Sequence, residues 1–128
     1  MKTIVSTTKA PAAIGPYSQA TICGGMVYTS AQLPLVPETG ALAEGGVEAQ
    51  TIQVMENLKA VLEAAGSSMD HVLKTTVFIT NMDDFGKVNA TYAKYFTEGN
   101  YPGRACVEVS RLAKDALVEI EAVAVIAE

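Results

Sequence analysis

Leu117-Val118-Glu119-Ile120-Glu121-Ala122-Val123-Ala124-Val125-Ile126 reads as a β-strand that has no purely polar side. Alternation places Val118, Ile120, Ala122, Ala124 and Ile126 on one face and Leu117, Glu119, Glu121, Val123 and Val125 on the other. A sheet covered by helices on one side needs only one apolar face. Here three apolar residues share the second face with two carboxylates, so that face also calls for cover. Exposed apolar patches of this extent mark interfaces, and homo-oligomers are the usual solution. The strand therefore predicts a sheet with helices on one face and another copy of the chain on the other.

The preceding stretch, Tyr101-Pro102-Gly103-Arg104-Ala105-Cys106-Val107-Glu108-Val109-Ser110-Arg111-Leu112, runs from a loop into a second strand that opens on a cation. Alternation groups Arg104 with Cys106, Glu108 and Ser110, a mixed face, and leaves Ala105, Val107, Val109 and Arg111 on the other. If strands 104–110 and 117–126 are antiparallel neighbours, Arg104 and Glu119 lie on or beside one partly covered face near a subunit boundary. A cation there needs an anion. Two readings are open: an ion pair that organises the interface, or an arginine that binds a substrate carboxylate beside an acid/base group.

Working outward, β-rich runs open the chain at 3–6, 18–23 and 26–30, the last two joined by Gly24-Gly25, a two-residue hairpin signal. From Val47 to Ala65 the residues Val47, Thr51, Val54, Met55, Leu58, Val61, Leu62 and Ala65 recur at helical spacing, and Gly66 supplies the stop. Val72 to Thr80 reads as a strand. Asn81 or Asp83 then caps a second helix bearing Phe85, Val88, Tyr92 and Phe96, with Asn89 beside that stripe. The stretch 34–46 is the one long loop, and no repeat or linker divides residues 1–128, which are expected to form one domain.

Composition narrows the function. Nine Lys and Arg against fourteen Asp and Glu give a net charge of −5, with no cationic run to track a phosphate backbone, so nucleic acid is not the expected partner. No stretch approaches a membrane span and the N-terminus lacks a signal segment, which together point to the cytoplasm. Cys23 and Cys106 are far apart and a single histidine, His71, is present, so no metal site is expected.

Six segments together resemble the signatures of the RidA family, also called YjgF, the reactive intermediate deaminases. They are 10–19 (APAAIGPYSQ), 29–34 (TSAQLP), 74–78 (KTTVF), 88–92 (VNATY), 104–109 (RACVEV) and 118–122 (VEIEA). They run in order through essentially the whole chain. The resemblance implies an α+β, chorismate-mutase-like fold: a mixed sheet with two helices on one face, assembled as a homotrimer around a central barrel, with sites between subunits. It implies cofactor-free hydrolysis of 2-imino acids, in exchange with enamines such as 2-aminoacrylate, to 2-keto acids and ammonia.

The same resemblance assigns roles. Arg104 grips the substrate carboxylate and Glu119 orients water and shuttles its protons. Cys106 contributes mainly its backbone carbonyl, Tyr17 closes the pocket from a neighbouring subunit, and Asn89, Ser30 and Ala31 line it. Most family members have glycine where this chain has Ala31. The added methyl is expected to narrow the site toward imines derived from alanine or 2-aminobutyrate, with strain if that backbone has positive φ. Two other classes remain: a trimer that binds small carboxylates without turnover, and RNA cleavage, which the acidic balance disfavours.

Overall fold

The computed structural model describes residues 1–127. Eight elements follow the chain: β1 (Thr3–Val5), β2 (Ala20–Cys23), β3 (Met26–Thr29), α1 (Gly46–Ala64), β4 (Val72–Ile79), α2 (Phe85–Ala93), β5 (Gly103–Glu108) and β6 (Val118–Val125). Their strands form one six-stranded mixed sheet in the order β1-β2-β3-β6-β4-β5. Only β4 and β5 run parallel; their crossover is α2, as a parallel pair requires.

Local chemistry explains the boundaries. Gly24 and Gly25 take φ of 59° and 77°, which a two-residue hairpin of this twist demands. α1 ends at Gly66, φ 84°, where Gly66 N–H donates to Glu63 O at 3.0 Å and Ser67 N–H to Leu62 O at 2.8 Å, so the final carbonyls are satisfied. Asn81, rather than Asp83, is the cap: its Oδ1 accepts from Asp83 N–H at 3.0 Å and starts the turn that leads into α2. The second helix ends at Ala93, so Phe96 lies just beyond it, yet it still buries its ring and packs 4.8 Å from that of Tyr92.

The core lies between the helices and one face of the sheet. Val118, Ile120, Ala122 and Ala124 of β6 are 3% exposed or less, and they meet Met55, Leu58, Val61 and Leu62 of α1. Buried amides stitch loops to this core: Asn57 Nδ2 donates to Leu33 O and Leu35 O at 3.0 and 2.9 Å, and Gln50 Oε1 accepts from Leu117 N–H at 2.8 Å. Glu119, Glu121, Val123 and Val125 fall on the open side, joined by Tyr28 of β3, Phe78 of β4 and Val107 of β5. Tyr28 and Val107 are 48% and 41% exposed, so the two-sided reading of 117–126 holds: one face has its helices, and the chain alone leaves the other uncovered.

The strand order corrects one expectation. Strands 104–108 and 118–125 are not neighbours; β4 lies between them, antiparallel to β6 and parallel to β5. The register then sorts the faces, because Thr75 pairs with both Arg104 and Ala122, whereas Phe78 pairs with both Val107 and Glu119. Arg104 thus shares the helix-covered face, and Glu119 the open one. The expectation that both lie on or beside a single face does not survive, because directly paired residues project to the same side of a sheet.

Candidate active site

Arg104 is the second residue of an edge strand, entered through Tyr101-Pro102, where a residue without an N–H costs no ladder bond. Its side chain lies along α2, whose residues Phe85, Asn89 and Tyr92, spaced i, i+4, i+7, fall on one helix face. Nη1 donates to Asn89 Oδ1 at 2.6 Å, and the guanidinium carbon sits 5.4 Å from the Phe85 ring centroid and 5.1 Å from that of Tyr92. Each such aromatic contact is worth about 0.5–1 kcal/mol at an exposed position. At the far end of the strand, Glu108 Oε1 accepts from Met82 N–H at 2.7 Å, so β5 is pinned to the start of α2 as well.

No carboxylate lies within 4 Å of Arg104 among the described residues. Beside it opens a recess of about 440 Å³ lined by Asn89, Tyr92, Ala93, Tyr101, Pro102 and Arg104. A guanidinium held against two aromatic rings and at one nitrogen, with no other hydrogen-bond partner among the described residues, is suited to a two-point grip on a planar oxyanion. Cys106 follows on the same side of β5; burial pushes its thiol pKa up, opposed by the charge of Arg104. The neutral thiol is a poor nucleophile.

The other candidates gather elsewhere. Glu119 is half-buried on the open face; burial, then repulsion from Glu121, raises its carboxyl above the usual carboxylate range. A raised pKa makes the ionised carboxylate a stronger base, which suits it to proton transfer. On the adjoining strand, three residues separate Tyr28 from Gln32, but only two separate their β6 partners Val123 and Ile120. The extra residue makes a bulge at Ser30–Ala31, steadied by Ala122 N–H donating to Thr29 Oγ1 at 2.9 Å. Ser30 is bonded on every side: its Oγ donates to Ser18 O at 2.6 Å, its N–H donates to Gln19 O at 2.9 Å, and its carbonyl accepts from Gln32 Nε2 at 3.2 Å. Ala31 does not have positive φ, so the methyl carries no backbone strain there.

Tyr17 lies apart from both Arg104 and Glu119 within one chain. Gln19, buried, accepts from Thr7 N–H at 2.7 Å and donates to Pro11 O at 2.8 Å, fixing the loop that carries Tyr17 against the start of β2. The Tyr17 ring is half exposed and lines a separate hollow with Ile4, Val5 and Gln19, away from the Arg104 recess. The structure thus brings Arg104, Asn89 and Cys106 together on the helix side and sets Glu119 on the open face; within one chain it does not bring Glu119, Ser30–Ala31 or Tyr17 to the Arg104 recess. Sequence reading placed Phe85 and Tyr92 on the apolar stripe of a helix and assigned neither them nor Tyr101 or Thr75 to a site, although the spacing of 85, 89 and 92 was the available signal.

A profile described as endoribonuclease L-PSP matches residues 7–126. The chain belongs to this family. Among L-PSP relatives, the chain is 54% identical over 127 residues to a Salmonella typhimurium protein named 2-iminobutanoate/2-iminopropanoate deaminase, covering 98% of each. A Yersinia pestis structure described as a member of the conserved Rid protein family, YyfA, superposes with a TM-score of 0.95 at 49% identity, covering 98% of this chain and 100% of that one. Escherichia coli TdcF, solved with bound serine, gives a TM-score of 0.91 at 44% identity and covers 98% of this chain and 99% of its own. The motifs that resemble RidA thus lie in a chain whose L-PSP relatives include named imine deaminases and Rid proteins.

Proposed function

We propose that this protein hydrolyses small 2-imino acids, together with their enamine tautomers such as 2-aminoacrylate, to 2-keto acids and ammonia. The observation that carries the reading is the Arg104 guanidinium, steadied by Asn89, without a carboxylate partner among the described residues and open to a recess. It is supported by the deaminase name of the Salmonella relative and by the serine, a small α-amino acid, bound to TdcF.

In this reading Arg104 takes the substrate carboxylate in two charge-assisted hydrogen bonds, each worth roughly 1.5–3 kcal/mol. Water adds to the carbon of the protonated imine while Glu119 takes one of its protons, giving a neutral tetrahedral aminoalcohol. The same carboxyl returns that proton to nitrogen; as the C–N bond breaks, the hydroxyl oxygen closes the ketone and its proton passes to the Glu119 carboxylate, which releases it to the departing ammonia or to solvent. One water is consumed and one ammonia released. The iminium carbon is already electrophilic, so acid/base assistance of about 10²–10⁴-fold together with positioning meets the need, with no cofactor called for.

Arg104 and Glu119 of one chain occupy opposite faces, two strands apart and offset by three residues along β4, roughly 14 Å in the plane of the sheet. The reaction therefore needs Glu119, and with it Tyr17 and the Ser30–Ala31 backbone, from a neighbouring copy. A homotrimer in which the three open faces surround a central barrel supplies that arrangement and covers Tyr28, Val107 and Val123. Residues 1–128 then act as a single domain with the Cys106 carbonyl beside the attacking water.

The test generates 2-aminoacrylate with a serine dehydratase and follows pyruvate release against semicarbazide, which traps the imine. Faster release that disappears with Arg104→Ala supports hydrolysis; no acceleration from a folded oligomer counts against it. A second reading, a trimer that only binds small carboxylates, draws on the same observation, because the Arg104 half-site contains no acid/base residue of its own. Glu119→Gln separates the two, since a binder keeps its affinity and a deaminase loses its rate. RNA cleavage fits the chain poorly: its net charge is −5 and its single histidine, bonded at Nδ1 to Ser68 Oγ at 2.7 Å, does not line the Arg104 recess.

A further inference from the structure

Resting on the carboxylate-binding reading of Arg104, we infer that Tyr92 is a positioning residue. Its ring, fixed by a buried hydroxyl bond to Thr75, is the platform that holds the guanidinium in the orientation that receives substrate. Thr75 pairs with Arg104 across β4 and β5, so its hydroxyl rises beside the root of the arginine on the same face. Thr75 Oγ1 and Tyr92 Oη lie 2.7 Å apart, with Thr75 1% and Tyr92 4% exposed. A hydroxyl pair so buried has a strong geometric preference, because neither group can turn to water.

The rest of the ring is held too. Phe96 packs behind it at 4.8 Å between centroids, tilted by 46°. Tyr92 thus has little freedom about either side-chain torsion, and Arg104 lies 5.1 Å from its centroid. Phe85 at 5.4 Å and Asn89 at Nη1 complete the clamp. An exposed arginine samples many rotamers, and binding a ligand must normally arrest them. Here α2 arrests the guanidinium in advance, on a stripe whose spacing follows from helix geometry alone.

A positioning role acts through Arg104, and a double-mutant cycle reads that directly. Tyr92→Leu is expected to raise KM for 2-iminopropanoate about tenfold while kcat stays within about threefold. Tyr92→Phe combined with Thr75→Val keeps the ring but removes the bond that fixes it, without leaving either hydroxyl unpaired, and should raise KM by about threefold, between the wild type and Tyr92→Leu. In an Arg104→Ala background Tyr92→Leu should cost nothing further. Phe85→Leu, at a less buried position, enters the same cycle with an expected KM increase of about threefold and serves if Tyr92→Leu does not fold.

Equal KM penalties in the two backgrounds, or a fall in kcat with KM unmoved, would overturn the clamp. A large effect of Arg104→Ala with no effect of Tyr92→Leu or Phe85→Leu would overturn the clamp while keeping the carboxylate-binding reading. An Arg104→Ala protein with unchanged KM would overturn both.

Discussion

On β6, residues one position apart face different worlds. Ile120 is fully buried beneath α1, whereas Glu119 beside it is half-buried on a face that also exposes Tyr28 and Val107. The helix-covered face satisfies its own chemistry within one chain: even its cation, Arg104, has an amide and two rings to lie against. The open face does not, since it sets a carboxyl with a raised pKa among apolar side chains that have no cover of their own. The difference teaches that one face is finished within a single chain and the other is left with uncovered apolar side chains, which is the ground for the proposal that a second copy completes the site.

The comparison breaks most clearly at Arg104. Arg104→Ala should lower kcat/KM by roughly 10²–10⁴ with only a modest loss of stability, about 1–2 kcal/mol from the two ring contacts, because the guanidinium is otherwise exposed. A steady-state assay beside a melting curve checks both halves of the expectation. Ile120→Ala should do the reverse, costing about 2–5 kcal/mol of stability, measurable by denaturant titration. If it were no worse than Val123→Ala on the open face, the division between faces would be wrong.

Glu119→Gln comes next, with an expected loss of roughly 10² in kcat and a smaller change in KM. Its pH dependence sharpens the point. A carboxyl whose folded pKa is raised favours the folded state when protonated, so that contribution is present below the ordinary glutamate range and is lost as pH rises through the raised value. Melting temperatures at pH 4 and pH 7 should therefore show Glu119→Gln gaining on the wild type as pH rises. A constant difference would place Glu119 in water. Ala31→Gly has the smallest expected effect, a few-fold rise in turnover of imines bulkier than 2-iminobutanoate with little change for 2-iminopropanoate. An unchanged substrate profile would remove the methyl as a selector.

Much of this was legible before any coordinates. The alternation of 117–126, the helical spacing of 47–65 and the Gly24-Gly25 hairpin each carry a local physical cause, and each element formed where that cause placed it. What periodicity could not supply was adjacency. Alternation tells which residues of β5 share a side but not which strand β5 joins, and the crossover through α2 slipped β4 between β5 and β6. The facing of Arg104 was obscured for a related reason. Ala105 and Val107 look like the core side, yet α2 meets the other side, where an arginine stem and head cover Phe85 and Tyr92 as an apolar residue would. The Ser30–Ala31 bulge has no signal in composition either, because only the slipped pairing with β6 reveals it.

The most direct measurement mixes two inactive proteins. Arg104→Ala and Glu119→Gln chains, each folded and oligomeric, are unfolded together, refolded and assayed for 2-aminoacrylate hydrolysis. If Arg104 of one copy works with Glu119 of the next, each mixed trimer holds one intact site, and random mixing should restore roughly a quarter of wild-type activity. Activity that stays at the level of the separate variants, with mixed oligomers confirmed by mass, would contradict a site built from the two opposite faces.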